Sequence, residues 1–89
     1  MELDLINKLA KESQERFSSK AEHHDFLMFH IQHHLVEIND LMAKKDPHCK
    51  KEMADLVILC HMLAHNEEVD SKIFKERMAK FKSKIKDFD

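Results

Sequence analysis

Glu37-Ile-Asn-Asp40 and Glu52-Met-Ala-Asp55 are the residues in this chain best suited to chemistry. Each pair is embedded in an apolar helical stretch, and residues three apart share one face of a helix, so each presents two carboxylates in one direction. Four carboxylates turned toward a core repel one another and resist desolvation unless a cation lies between them. A hard divalent cation meets that need, and Mg²⁺ ties it to phosphate chemistry, with Mn²⁺ able to substitute.

Spacing alone does not single these pairs out. With 17 Asp and Glu in 89 residues, chance gives about three acid-x-x-acid pairs. The chain holds five: Glu12/Glu15, Glu22/Asp25, Glu37/Asp40, Glu52/Asp55 and Glu67/Asp70. Glu12/Glu15 lies among Lys11, Ser13, Gln14 and Arg16, and Glu67/Asp70 in a polar turn; both read as solvated surface. Only the pairs at Glu37 and Glu52 have apolar neighbours, on two successive helices.

At about 100° per residue, the face of Glu37 and Asp40 also carries Phe26, His30 and His33. The face of Glu52 and Asp55 runs on to Leu59, Met62 and Asn66. Phe26, His30, His33 and Asn66 are therefore candidates to line a base pocket beside a metal-bound phosphate. Core packing for Phe26 and a polar bundle rim for His30 and His33 are the plainer alternatives.

Four helices must position these groups. The first spans about Glu2 to Phe17, with Leu3, Ile6, Leu9, Ala10 and Phe17 near one stripe. Ser19, with Glu22 three residues on, forms a capping box that opens a long second helix to about Lys45. Its apolar positions include Phe26, Leu27, Ile31, Leu35, Ile38 and Met42. Asp46-Pro47 restarts the chain, Asp as cap and Pro at the first helical position. The third helix, about Pro47 to His65, is apolar on most sides, as a central helix is. Asp70 or Ser71 caps the last helix, where Ile73, Phe74, Met78, Phe81, Ile85 and Phe88 recur at helical spacing and lysines crowd the other positions.

Composition agrees. There is no Gly, Trp or Tyr and a single Pro, with 43% apolar and 36% charged residues, which favours amphipathic helices over sheets or disorder. The expected fold is all-α: a compact four-helix bundle forming one domain over residues 1–89, assembled as a homodimer or dimer of dimers, because so small a core gains by association. Cys49 and Cys60 form no disulfide framework or metal motif. A start without a basic and apolar leader, and no apolar run of about 20 residues, point to a cytoplasmic protein without a membrane partner. A net charge of -2 does not advertise nucleic acid.

The Glu37-Ile-Asn-Asp40-Leu41 segment and Glu52-Met-Ala-Asp55-Leu56-Val57-Ile58, with 11 residues between Asp40 and Glu52, together resemble the MazG family of nucleoside triphosphate pyrophosphohydrolases. The family's signature is E-x-x-E followed by E-x-x-D in an EELADVLI-like stretch. The resemblance spans about Leu35 to Phe81 and is most specific from Lys51 to Leu59. It implies Mg²⁺-dependent hydrolysis of a (deoxy)nucleoside triphosphate to monophosphate and pyrophosphate, as in house-cleaning of the nucleotide pool, by a homo-oligomer. Metal ligands would be Glu37, Asp40, Glu52 and Asp55, with Glu37 also orienting or deprotonating the attacking water. Lys80-Phe81 resembles the basic stretch of the family's last helix, so Lys80, with Arg77 and Lys84, would meet phosphate. Asp40 replaces the usual Glu, and Met78 stands at the family's Asn position.

A rival reading starts from the eight histidines. His33/Glu37 and His61/His65 are i, i+4 pairs, as in haemerythrin-like bundles holding iron or zinc. His61 and His65, however, point more than about 100° away from Glu52 and Asp55 around their helix. A third class, a non-catalytic helical interaction module, would use the basic last helix to dock an acidic partner.

Overall fold

The computed structural model describes residues 3–87, and these form four helices: α1 (Leu3–Gln14), α2 (Lys20–Ala43), α3 (Cys49–Asn66) and α4 (Ser71–Asp87). There is no strand among the described residues. Glu2 and Phe88, placed by periodicity in the first and last helices, lie outside the described residues. The all-helical expectation is met. No described helix is long and apolar enough to cross a membrane.

The helix starts follow local chemistry. Ser19 Oγ accepts the Glu22 backbone N–H at 3.1 Å, as a cap should. The box is only half closed, because the Glu22 carboxylate accepts from Ser18 Oγ rather than turning back to Ser19. Asp46 accepts the His48 N–H at 2.9 Å and heads a short lead-in turn through Pro47, so regular α3 begins two residues beyond the proline. Asp70, not Ser71, caps α4, accepting the Ile73 N–H at 2.9 Å. α1 ends three residues earlier than expected, at Gln14. Phe17 instead sits in the turn, its ring 5.0 Å from both His23 and Phe26, and closes the α1–α2 corner.

Both α2 and α3 end in the same way. Lys45 and Glu68 adopt positive φ, 56° and 58°. Around them, Asp46 N–H reaches Leu41 C=O and Val69 N–H reaches Ala64 C=O, each at 2.9 Å. These are Schellman closures, which normally place Gly at the left-handed position. A chain without Gly puts a side chain there at a steric cost of roughly 1–2 kcal/mol. Lys45→Gly and Glu68→Gly should therefore each stabilise the protein by about 1 kcal/mol once the greater freedom of unfolded Gly is subtracted. Thermal unfolding should register each as a rise of about 4–8 °C.

α2 and α3 form an antiparallel hairpin, and α1 lies mainly against α3. The shared core is Ala10, Leu27 and Met62, with Ile58, Leu59 and Leu63 packed on it. Ile6, Ile31 and Ile38 extend it along α1 and α2. Of the expected α2 stripe, Leu27, Ile31 and Ile38 are buried, whereas Phe26, Leu35 and Met42 are exposed. One face of α2 meets α3, and the flanking positions do not. Cys49 and Cys60 are free thiols, and burial pushes the Cys60 thiol above its usual range.

The structure departs from the expected four-helix packing at α4, which does not join the other three helices. Its apolar stripe, Ile73, Phe74, Met78, Phe81 and Ile85, is exposed throughout. Among the described residues its start meets the core unit, the Phe74 ring 6.4 Å from that of His61 and Met78 sharing a cavity with Asn7 and His61. The single chain is thus a compact three-helix unit carrying a fourth, laterally unpacked helix.

Candidate metal centre between α2 and α3

The hairpin turn at Lys44–His48 fixes which residues face one another. His23 lies against Asn66, His34 against Asp55, and Glu37 against Glu52. The two acidic motifs therefore meet at the end of the hairpin nearest the turn. Glu52 is the centre of the group: its side chain is only 14% exposed, and its Oε2 is buried without a hydrogen-bond partner. His34 Nε2 stands 3.3 Å from that oxygen and 3.6 Å from Asp55 Oδ2. His48 Nε2 is 3.7 Å from the other Glu52 oxygen.

Protonation follows from this crowding. The Glu52 carboxyl is pushed above the usual carboxylate range, first by its hydrogen bond with Glu37, then by burial and by the Glu37 charge. Glu37 is lowered, first by that same hydrogen bond and further by His33, whose Nε2 lies 2.7 Å away. The two facing carboxyls are thus driven apart, Glu52 holding its proton more tightly than Glu37. His34 is raised, first by its Nδ1–H donation to the His30 carbonyl at 2.8 Å and then, against burial, by the charges of Glu52, Asp55 and Glu37.

Asp40 and Asp55 are the looser members. Asp40 is exposed and paired with Lys44 at 2.9 Å, which raises the lysine's pKa. It still borders an open cavity of about 410 Å³ with Glu37, Leu41, His48 and Glu52. Asp55, 55% exposed at its side chain, borders a smaller cavity of about 210 Å³ with His34, Ile58 and Leu59. The donor set fits a divalent cation: carboxylates close together across the hairpin and a buried oxygen with no partner.

The other sequence candidates divide. Phe26 and His30 meet edge to face at 4.4 Å on α2, and His33, beside Glu37, continues that ridge toward the acids. Asn66 is not brought to the site. It faces the hairpin interior but lies fourteen residues from Glu52 on α3, about 21 Å along the helix. There it is buried in a separate network, with His23 Nδ1 at 2.9 Å and the Lys20 carbonyl at 3.3 Å. Arg77, Lys80 and Lys84 stand exposed on α4, and among the described residues none pairs with the four acids. Lys84 instead lies over its own helix's Phe81 ring at 6.0 Å.

Of the rival histidine pairs, His33/Glu37 forms but His61 and His65 lie away from it, His61 against Phe74 and His65 in a cavity with Asn66. The residues that sequence reasoning missed are His34 and His48, which flank Glu52. The signal for His34 was available, because it precedes Glu37 by three positions and shares its face.

Comparison with protein-family models, with curated protein sequences and with solved structures finds no match to this chain.

Proposed function

We propose that the protein is a Mg²⁺-dependent nucleoside triphosphate pyrophosphohydrolase that works as a homo-oligomer. The observation that carries this reading is the meeting of Glu37 and Glu52 across the α2–α3 hairpin, with Asp40 and Asp55 at its flanks and a buried Glu52 oxygen lacking a partner. That arrangement agrees with the resemblance of both motifs to the MazG family.

Glu37, Asp40, Glu52 and Asp55 would hold the ion, Asp40 releasing Lys44 to do so. Bound there, Mg²⁺ would neutralise phosphate charge and acidify a coordinated water. Glu37 is the more readily ionised of the facing pair and rests on His33. It is thus the carboxylate suited to orient water and accept its proton. Water oxygen would attack the α-phosphorus, the bond from that phosphorus to the bridging oxygen would break, and pyrophosphate would leave. Phe26, His30 and His33 supply a ring-bearing ridge on which a base can rest.

Lys80, with Arg77 and Lys84, is the proposed partner of the leaving pyrophosphate. Because α4 meets the rest of its own chain only near its start and leaves Arg77, Lys80 and Lys84 away from the acids, a second copy is the natural source of these cations. The accessible surface, 7226 Å², exceeds the roughly 5,500 Å² usual for a monomer of this mass. The exposed α4 stripe contributes to this excess, and self-association would cover it.

The decisive measurement is phosphorus NMR of a nucleoside triphosphate incubated with Mg²⁺ and the protein. Monophosphate and pyrophosphate are the expected products, formed faster from deoxynucleotides. Orthophosphate with diphosphate, or no turnover, would exclude the reading.

A further inference from the structure

The imidazole of His34 faces the carboxylates, yet the four-acid clamp gives it no task. Its Nδ1–H is committed to the His30 carbonyl, at 2.8 Å, outside the cluster. A neutral ring so held carries its lone pair on Nε2, and Nε2 looks between Glu52 Oε2, at 3.3 Å, and Asp55 Oδ2, at 3.6 Å. A backbone carbonyl behind a ring, fixing its tautomer and direction, is the usual support of a metal-bound histidine.

The spacing suits coordination. One donor atom from each of His34, Glu52 and Asp55 lies within 4.8 Å of the others. Ligands bound at about 2.1 Å to one ion sit about 3.0–3.4 Å apart along the edges of an octahedron or tetrahedron. The two separations from Nε2 are close to that before any ion has drawn the groups together. Glu52 Oε2, buried and without a hydrogen-bond partner, is an independent sign that something is to be bound there.

We infer that His34, Glu52 and Asp55 form a centre for a first-row transition-metal dication, preferred over Mg²⁺ because of the imidazole. Carboxylates alone suit Mg²⁺, whereas a nitrogen ligand favours Mn²⁺, Fe²⁺, Co²⁺ or Zn²⁺. The inference rests on the proposed cation site at Glu52 but not on nucleotide hydrolysis.

Mn²⁺ added to the full-length protein is the probe, read by electron spin echo for nitrogen bound directly to the ion. One tightly held Mn²⁺ with a coordinated ¹⁴N is expected, retained against a tenfold excess of Mg²⁺. His34→Gln should abolish the nitrogen signal and weaken Mn²⁺ binding at least about tenfold, the loss that an outer-shell change alone commonly causes. Mg²⁺ affinity should stay unchanged. His48→Gln should keep the signal, which excludes His48 as its source. The wild-type spectrum, which needs no variant to fold, shows whether nitrogen is bound, and the two variants assign it. Mn²⁺ bound through oxygen alone would overturn the role of His34 while leaving the carboxylate clamp standing. Absence of Mn²⁺ binding would overturn both. Nitrogen-bound Mn²⁺ without pyrophosphate release from any nucleotide would support this inference and defeat the pyrophosphohydrolase reading.

Discussion

Glu52→Gln is expected to lower Mg²⁺-dependent turnover by roughly a hundredfold or more, the scale of removing one electrostatic stabiliser from a reaction centre, while leaving the helical fold intact. Glu52 is the most enclosed of the four acids and the one whose carboxyl is pushed above the usual range by Glu37 and by burial. An amide reproduces the neutral state, because its N–H can donate to Glu37 as the protonated carboxyl does. Metal-free stability should therefore stay within about 1 kcal/mol of wild type, the worth of one ordinary hydrogen bond. The two states separate when Mg²⁺ is added. A ligand that binds only the folded form raises the melting temperature, so wild type should gain from Mg²⁺ and the variant should not. Asp55→Asn should behave similarly in turnover. Full activity in both variants would remove the carboxylate clamp from consideration.

Phe81→Glu is expected to dissociate the oligomer and silence it together. Phe81 is 59% exposed on α4, in a stripe whose start alone meets its own chain, through Phe74 and Met78 beside His61. A carboxylate placed there would have to be desolvated in any interface that covers the stripe. Light scattering should show wild type at twice the chain mass or more at micromolar concentration and the variant at one. Circular dichroism should show the α1–α3 unit unchanged, since Phe81 contributes nothing to its core. Activity should fall in step with dissociation if Lys80 acts from a neighbouring copy. A monomeric wild-type protein with full turnover would sink the proposal of self-association.

Local features were readable from the sequence because their causes are local. Ser19 and Asp70 cap as their side chains dictate, and Asp46-Pro47 marks the turn between α2 and α3. That turn also held more information than the motifs alone. An antiparallel hairpin folded about it pairs residues whose numbers sum to one value, so setting Glu37 against Glu52 also sets His34 against Asp55. His34 lies on the face of Glu37, but its place among the acids comes from the pairing across the turn, which the spacing within α2 does not express. Asn66 shows the opposite limit: its angular position on α3 was legible, but its distance along the axis from Glu52 was not weighed.

The outer faces were harder for a different reason. Periodicity says that a face is apolar, not what it meets. Phe26, Leu35 and Met42 share the α2 pattern with Leu27 and Ile31 yet stay exposed, because a partner helix covers only a limited arc. The α4 stripe is as regular as any in the chain and meets the rest of it only near its start. Interchain contacts are not written in one chain's pattern, so the sequence told of a fourth helix without telling where it docks.

The isolation of α4 also bears on how this protein holds its order. A seventeen-residue helix without lateral contacts has little more than the marginal stability of a free peptide of that length. The α1–α3 unit draws on a shared core and opens mainly as a whole, whereas α4 sits at the low end of local stability. Under the proposed self-association its persistence would be a function of protein concentration, since a covering surface would lend it cooperativity. Dilution would unravel the helix that carries Lys80 well before it disturbed the hairpin that carries Glu37 and Glu52.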